Sequence, residues 1–302
     1  MNVLITGGTG LIGERLVNTL KQSNVNITVL TRNPNKAVDM FGSSVTFIDK
    51  LSSKCIENQD TVINLAGEPI ANKRWSNSQK KKICNSRWDI TKQLSELITK
   101  ATHPPSLFIS GSAVGIYGRQ KDQLIDETFT QYHKEFTHEV CQMWEKLALK
   151  AESVETRVVI LRTGIVLDSN SGALAKMLLP FKLGIGGKVS CGKQIMSWIH
   201  IEDVISAILH IQNTPTLKGV TNITAKYPVS NAVFSKNLAD VLKRPAIFKT
   251  PAVLLKLMFG EMADLLLYGQ CVIPSKLINS GFHFKYPTID EALNNLLDKE
   301  SR

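Results

Sequence analysis

The stretch Leu4-Ile5-Thr6-Gly7-Gly8-Thr9-Gly10-Leu11-Ile12-Gly13, near the start of the chain, decides the fold. The apolar residues 3–5 predict a short buried strand, and apolar residues then recur with helical spacing from 11 to 20. The turn between them carries three glycines: Gly7, Gly10 and Gly13. Because a turn without Cβ atoms lets a pyrophosphate approach the backbone, this order predicts a dinucleotide-binding site. The N–H groups and the dipole at the N-terminus of the helix would stabilise the negative charge.

Length and charge allow a full hydrophobic core and an electropositive cleft. The chain has 302 residues, is 43% hydrophobic and carries a formal net charge of +10. Such a charge can indicate nucleic-acid binding, but the basic residues are spread along the chain. The densest group, Lys80-Lys81-Lys82, fits a solvated helix face. Nucleic acid is therefore the disfavoured partner, whereas a phosphorylated cofactor and an anionic substrate suit the charge.

No apolar run is long enough to cross a bilayer, so we expect no membrane partner. The best candidate, residues 253–267, is interrupted by Lys256, Glu261 and Asp264, as is typical of an amphipathic helix. Met1-Asn2 leads directly into the first predicted strand, which predicts a cytoplasmic protein without a signal peptide. Five scattered cysteines without a CxxC or Cys/His spacing predict reduced thiols and no metal site.

The end of the second predicted strand, residues 25–30, indicates which dinucleotide binds. A site that prefers NAD usually carries Asp or Glu there to accept from the ribose hydroxyl. This chain has Thr31-Arg32-Asn33 instead. Arg32 can bind a 2′-phosphate with its planar fork, and Thr31 can donate its hydroxyl. The sequence thus favours NADP over NAD, the alternative being that Arg32 merely begins a surface loop.

The fourth predicted strand begins at Thr61 and has a small-residue exit, where Ala66 and Gly67 would let a ribose and phosphates lie close to the backbone. Leu65, just before them, is also expected to contact the cofactor. Arg87 follows on the inner stripe of the next predicted helix, where an unpaired cation would be costly. Arg87 is therefore expected to contact either a carboxylate or a cofactor phosphate, and both alternatives remain open.

The loop after the fifth predicted strand, residues 107–109, should open onto the ligand crevice. Ser112 in this loop is placed to hydrogen-bond a substrate oxygen, although turn or capping chemistry is the alternative. The sixth predicted strand, residues 158–161, runs into Gly164 and Ile165, which we expect to contact the cofactor.

The alternation of strands and helices predicts an α/β fold, a Rossmann-type doubly wound parallel sheet with a small C-terminal α/β cap domain. We expect the NADP-binding Rossmann domain to span residues 1–167, with sheet elements returning near 195–225. Residues 168–302 would form mainly the substrate-side cap, because glycine-rich loops replace the alternation after Asp168. His200 could contact a ligand or cap a helix, and we favour the cap.

Several motifs together resemble those of the extended short-chain dehydrogenases/reductases, and among them an atypical branch of epimerase family proteins of the sugar-nucleotide type. The motifs are Asn64-Leu65-Ala66-Gly67-Glu68, Arg74-Trp75, Ser86-Arg87, Trp144-Glu145, Arg162-Thr163-Gly164-Ile165-Val166-Leu167 and Ser197-Trp198-Ile199-His200. Pro274 and Gly281-Phe282 resemble the pattern of that branch's C-terminal domain of unknown function. The resemblance implies a Rossmann fold, NADP (NADPH) as cofactor and a small-molecule substrate such as a nucleotide sugar. A homodimer is a further expectation.

The chain departs from the superfamily at the catalytic pair. The superfamily's chemistry uses Tyr-x-x-x-Lys on the helix after the fifth strand, with the tyrosine as general acid or base. The aligned residues here are Thr137-His138-Glu139-Val140-Cys141, so both members are missing. Tyr117 and Lys121 have the spacing, but they come directly after the strand, and we interpret this match as a coincidence. Arg87 would partly replace the charge of the missing lysine.

Two functions remain open. The first is an NADP-dependent epimerase or oxidoreductase, with Ser112 as the candidate catalytic residue and Tyr117, His138 or Glu139 as alternative proton acceptors. The second is a non-catalytic NADP(H)-binding redox sensor or regulatory protein, which the missing pair favours. The predicted cofactor contacts are Gly7, Thr9, Gly10, Leu11, Ile12, Gly13, Thr31, Arg32, Leu65, Ala66, Gly67, Arg87, Gly164 and Ile165.

Overall fold

The computed structural model describes residues 1–298, and strands alternate with helices along most of this length. Its strands are β1 (Asn2–Thr6), β2 (Asn26–Leu30), β3 (Thr46–Ile48), β4 (Thr61–Asn64), β5 (Leu107–Ala113), β6 (Leu124–Ile125), β7 (Arg157–Thr163), β8 (Ile165–Leu167), β9 (Gly187–Val189), β10 (Ile195–Met196), β11 (Trp198–His200), β12 (Gly219–Ile223), β13 (Val229–Ser230), β14 (Phe248–Thr250) and β15 (Cys271–Val272). Its α-helices are α1 (Leu11–Leu20), α2 (Pro34–Phe41), α3 (Ser53–Ile56), α4 (Asn77–Lys100), α5 (Phe136–Ala148), α6 (Gly172–Lys182), α7 (Ile201–Asn213), α8 (Asn231–Leu242), α9 (Ala252–Phe259), α10 (Asp264–Leu267), α11 (Ser275–Asn279) and α12 (Ile289–Asp298).

Seven parallel strands form the central sheet in the order β12-β7-β5-β4-β1-β2-β3. The chain starts at β1, builds outward through β2 and β3, and then returns to the other side of β1 with β4. This reversal is the switch point of a doubly wound sheet, where ligands bind beyond the carboxyl ends of the strands. The predicted Rossmann-type α/β fold is therefore confirmed.

Both faces of the sheet are covered by helices, because successive side chains of a strand point to opposite faces. Val3 and Ile5 of β1 pack in a core with Leu16 and Val17 of α1. Leu4, between them, packs in a second core with residues of α4 and β5. All five side chains are completely buried, so the apolar run that opens the chain anchors both layers.

The residues that follow β8 build a smaller layer around a separate apolar cluster that includes Trp198 and Phe234. This part reaches the rim of the crevice. Lys176 of α6 donates to the carbonyl oxygen of Ala71, at 3.0 Å, in the loop after β4. Glu261 pairs with Lys80 of α4 at 2.5 Å. The C-terminal part therefore lies against the same loop that the sequence assigns to the cofactor, while the predicted domain boundaries stay a prediction.

The predicted helix over residues 253–267 is divided into three pieces. α9 ends at Phe259, a 3-10 turn follows at Gly260–Ala263, and α10 continues from Asp264. Gly260 has a φ of +59°, a left-handed conformation that interrupts helical geometry and that glycine adopts without strain. Within residues 1–298, no helix combines the length and the apolar content that a membrane span requires.

Candidate functional site

The glycine turn between β1 and α1 is packed so closely that side chains do not fit. Gly7 has a φ of +71°, and a Cβ atom there would lie 2.5 Å from the carbonyl carbon of Leu65. A Cβ atom at Gly13 would lie 2.2 Å from the carbonyl oxygen of Gly7. The turn thus rests against the exit of β4 on one side and against its own helix on the other. Its shape requires glycine at both positions.

The N-terminus of α1 is open to an anion. The N-cap residue is Gly10, which has no side chain that could accept from the first N–H groups of Leu11 and Ile12. Thr9 and Gly10 are exposed at the tip of the turn. The free N–H groups and the helix dipole point in the same direction, an arrangement that binds phosphate in many nucleotide sites. The donor set therefore fits a cofactor diphosphate.

A basic cavity of about 550 Å³ lies beside the carboxyl end of β2. Its lining includes Arg32, together with Lys81 and Lys82 of α4. Three cations from two elements thus converge where the sequence predicts the adenosine end of the cofactor. In the sequence these lysines fit a solvated helix face, because nothing in the sequence shows that α4 passes the end of β2. Thr31 lies at the same strand end, where its hydroxyl accepts from the N–H of Asn33 at 3.2 Å.

Arg87 lies directly against Gly67 at the exit of β4. A Cβ atom at Gly67 would be 2.9 Å from the guanidinium carbon of Arg87. Nη1 of Arg87 donates to the carbonyl oxygens of Glu68, at 2.9 Å, and Ile83, at 3.0 Å, and the guanidinium lies over the ring of Trp144. Burial lowers the pKa of Arg87. Within the described part of the chain no carboxylate forms an ion pair with this cation, although the Glu68 carboxylate attracts it from nearby, so both alternatives stay predictions.

Ser112 is the first member of a buried polar network at the carboxyl end of β5. Its hydroxyl donates to Oε1 of Glu145, on α5, over 2.6 Å. Arg162 of β7 lies opposite Ser112 in the sheet and donates to both carboxylate oxygens of Glu145, at 2.9 and 2.8 Å. All three side chains are buried. Because the only hydroxyl proton of Ser112 is used by Glu145, the Ser112 oxygen can act only as an acceptor, and the Cys141 thiol lies within hydrogen-bond reach of it.

The structure places Tyr117 inside the same network and away from solvent. Its hydroxyl donates to the Asn222 side chain at 2.8 Å and accepts from Arg162 at 3.1 Å. Burial raises the pKa of Tyr117 to about 12. A completely buried phenol with so high a pKa is a poor general base at neutral pH, which argues against the predicted catalytic role of Tyr117.

The helix positions that carry the superfamily's catalytic pair hold groups of a different kind. Thr137 and Cys141 are buried on α5, and burial raises the pKa of the Cys141 thiol to about 11. The imidazole of His138 is buried and bonds through Nδ1 to the carbonyl oxygen of Ile116 at 2.6 Å. Glu139 is exposed. None of the four therefore repeats the superfamily's tyrosine or lysine at these positions.

Gly164 and Ile165 use their backbone N–H groups within the fold. Gly164 donates to the carbonyl oxygen of Ile223 at 3.0 Å, and Ile165 donates to that of Ser197 at 2.7 Å. These two N–H groups are therefore not available to a cofactor. His200 is the N-cap of α7 and accepts from the N–H of Glu202 at 3.0 Å, which confirms the capping role that the sequence favoured.

Glu145 and Arg162 were not singled out from the sequence as site residues, and appear there only inside motifs. A signal was present, however. Glu145 falls on the buried face of an amphipathic helix, and Arg162 comes at the end of an apolar strand. Two opposite charges at otherwise apolar positions predict a buried ion pair, since each alone would be costly.

Comparison with known proteins extends these observations to the whole chain. Residues 3–223 match the family model of the NAD dependent epimerase/dehydratase family, and residues 250–296 match a domain of unknown function, DUF1731. An epimerase family protein of Staphylococcus saprophyticus is 40% identical over 294 residues, which cover 97% of this chain and 98% of that protein.

Solved structures show the same similarity. The human epimerase family protein SDR39U1, crystallised with NADPH, superposes with a TM-score of 0.89 at 31% identity, covering 99% of both chains. A nucleoside-diphosphate sugar epimerase from Corynebacterium glutamicum superposes with a TM-score of 0.76 at 29% identity, covering all of this chain and 60% of that one.

Proposed function

The chain belongs to the NAD dependent epimerase/dehydratase family, and from this premise we propose that it binds NADP(H) and acts as an epimerase or oxidoreductase on a nucleotide sugar. The proposal rests on the position of three features in the central sheet. The glycine turn after β1, Gly67 after β4 and Ser112 in β5 lie at the carboxyl ends of three neighbouring strands. That edge is the place where doubly wound sheets bind dinucleotides.

The preference for NADP(H) rests on the basic cavity at the end of β2. The described lining of this cavity includes Arg32, Lys81 and Lys82, with Glu68 as its one acidic residue. A 2′-phosphate is negatively charged and is therefore attracted by the three cations. The ribose of NAD carries only uncharged hydroxyl groups at this place. The human protein of similar fold was crystallised with NADPH, which agrees with this preference.

The diphosphate would lie on the N–H groups at the start of α1, and Arg87 would reach the cofactor across Gly67. Because Gly67 has no side chain, nothing separates the guanidinium of Arg87 from the crevice at this point. The bound nicotinamide supplies a hydride acceptor or donor. The chain's own residues provide charge compensation and position the substrate.

Ser112 is the residue that we propose contacts the substrate. Glu145 acts as a positioning residue, because it holds the Ser112 proton and leaves the oxygen free to accept from a substrate hydroxyl. Arg162 donates to both carboxylate oxygens of Glu145 and holds the carboxylate in place.

A second function, as an NADP(H)-dependent regulatory protein, is supported by α5, the helix that corresponds to the one with the superfamily's catalytic pair. Thr137 and Cys141 replace the superfamily's tyrosine and lysine, and Tyr117 is buried. Without an accessible base, cofactor binding could serve to change the contacts of the C-terminal part with the crevice rim rather than to support turnover.

Two measurements test the proposal. Fluorescence titration of the purified chain with NADPH should give saturable binding, tighter than that of NADH. A panel of nucleotide sugars should then yield a stereoisomer or a ketone, slowed in Ser112→Ala. Ser106→Ala is the matched control, because Ser106 precedes the same strand at its opposite end and bonds to the carbonyl oxygen of Asp60. Saturable NADPH binding without any turnover would favour the regulatory function, and no binding would refute both.

A further inference from the structure

The C-terminal part of the molecule exposes many large apolar side chains. The exposed residues, which we call the apolar ridge, are Leu179, Leu183, Ile185, Ile247, Phe248, Val253, Leu254, Leu257 and Met258. Val253 and Leu257 lie one turn apart on α9 and are 79% and 74% exposed. Leu255 is the one buried residue of this helix. Contiguous apolar patches of this kind mark interaction sites, whereas single exposed leucines do not.

Backbone pairing connects the elements that carry these residues. β9 and β14 run parallel, with Phe248 opposite Gly187. The end of α6 leads into β9 through residues 183–186, and β14 leads through Pro251 into α9. The exposed residues of α6, of the two strands and of α9 thus lie on connected elements rather than at scattered places.

The charge of this surface has a single sign. Residues 170–201 and 241–260 contain eight lysines and arginines and neither aspartate nor glutamate. Lys188 and Lys249 lie directly opposite each other on β9 and β14, and both are exposed. Like charges at opposite positions of a sheet repel and destabilise it, so an anion from outside the chain would relieve the repulsion. Exposed Lys243, Arg244 and Lys256 extend the basic area.

We propose that the apolar ridge and its basic residues bind the surface of an anionic lipid membrane. Aliphatic side chains enter the boundary between headgroups and acyl chains, and lysines at the same level bind lipid phosphates. A second copy of the chain is a poorer occupant. A two-fold axis through the ridge would place Lys188 and Lys249 near the same lysines of the other copy. We expected no membrane partner because the sequence has no segment long enough to span a bilayer. Binding to the membrane surface does not require such a segment.

Co-sedimentation of the full chain with lipid vesicles tests the proposal. The chain should pellet with phosphatidylcholine vesicles that contain phosphatidylglycerol and stay in solution with phosphatidylcholine alone. Added salt should weaken the binding, because it screens the lysines. The double variant Val253→Ser/Leu257→Ser should lose about tenfold or more in affinity, since two aliphatic side chains no longer leave water. Lys188→Gln/Lys249→Gln should also bind more weakly.

Val154→Ser is the matched control. Val154 is fully exposed in the turn before β7, at the amino end of the central sheet, and its replacement should leave vesicle binding unchanged. Thermal unfolding of each variant checks that the fold is kept. The proposal is overturned if anionic vesicles bind no protein, or if the ridge variants bind as the unmodified chain does. Dimerisation that Leu257→Ser abolishes, in the absence of vesicle binding, would instead assign the ridge to a second copy.

Discussion

Glu145 and Arg162 form a two-point ion pair in the interior, with Nε of Arg162 2.9 Å from Oε1 of Glu145 and Nη2 2.8 Å from Oε2. The same carboxylate accepts the hydroxyl proton of Ser112. The pair therefore connects the stability of the fold with the orientation of the residue that we propose contacts the substrate. Its two roles can be separated by experiment.

Removal of the cation should be costly. Arg162→Leu leaves the buried Glu145 carboxylate without its partner, and we expect a loss of about 3–5 kcal/mol in the free energy of unfolding by urea. The exposed pair Lys92–Glu96 on α4 is the control, since its side chains are 62% and 54% exposed. Lys92→Leu should change stability by about 0–1 kcal/mol. Equal losses in the two variants would show that the buried ion pair contributes no more to the free energy of unfolding than the exposed one.

Removal of the Ser112 partner should affect the substrate more than the cofactor. Glu145→Gln keeps the size of the side chain but weakens the hydrogen bond that holds the Ser112 proton. Turnover should fall while NADPH affinity stays within about twofold, because Glu145 binds Ser112 and Arg162 but does not line the basic cavity. A parallel loss of NADPH affinity would contradict the positioning role.

Arg32 should distinguish the two dinucleotides. Arg32→Ala is expected to weaken NADP binding by ~1.5–3 kcal/mol, the range for a hydrogen bond to a charged group, and to leave NAD binding nearly unchanged. Titration calorimetry with both cofactors measures the difference. Lys100→Ala, at the far end of α4, is the control for a general change in charge. Equal losses for NADP and NAD would show that Arg32 does not bind the 2′-phosphate.

Two glycines of the first turn should respond differently to a methyl group. A Cβ atom at Gly13 would lie 2.2 Å from the Gly7 carbonyl oxygen, so Gly13→Ala should lower both stability and NADPH affinity. At Gly10 the nearest atom lies at 3.3 Å, and φ is −87°. Gly10→Ala should therefore keep its stability and lose only affinity, because the methyl group enters the space of the diphosphate. Unchanged NADPH binding in both variants would show that the diphosphate does not bind at this turn.

Glu57 predicts a dependence of stability on pH. Its carboxylate accepts the N–H groups of Thr102 and His103, both at 2.9 Å, and these bonds hold its pKa below the ordinary value of 4.5. The stabilisation is therefore complete above that value and is lost as the pH falls through the lower pKa of the folded state. Glu57→Gln should lower the urea midpoint at neutral pH, and its difference from the unmodified chain should shrink in acid. A constant difference at all pH values would contradict this assignment.

The sequence was sufficient for the fold because the signals there are local. The apolar run before Gly7 and the helical spacing after it already specify strand, turn and helix. The fifth strand was less accessible to prediction. Ser110, Gly111 and Ser112 are small or polar and are typical of a loop, yet β5 continues to Ala113 because β7 pairs with it along its whole length, whereas β4 pairs with it only as far as Ser110. Tertiary pairing thus overrides local composition at this position.

The parts of the site that depend on local backbone shape could be predicted from the sequence. The parts that depend on contacts between side chains far apart in the sequence could not. Gly7, Gly13 and Gly67 stand out in the sequence because glycine is needed at each of them. A Cβ atom at any of the three would come closer than 3.0 Å to a neighbouring atom. The contribution of Lys81 and Lys82 depends on the path of α4 past β2, which no local pattern encodes. The network from Ser112 to Arg162 joins residues 50 positions apart, so only the sheet register reveals it.

The outermost strand of the central sheet, β12, consists of residues 219–223, far along the chain from its neighbour β7. During synthesis the sheet therefore emerges from the ribosome with one edge bare. A nascent chain that ends soon after Thr163 presents the unpaired backbone of β7 to any other strand nearby. This edge of the sheet is covered only after the residues between β7 and β12 have been translated, so a product that ends before β12 keeps an exposed strand that the complete chain pairs.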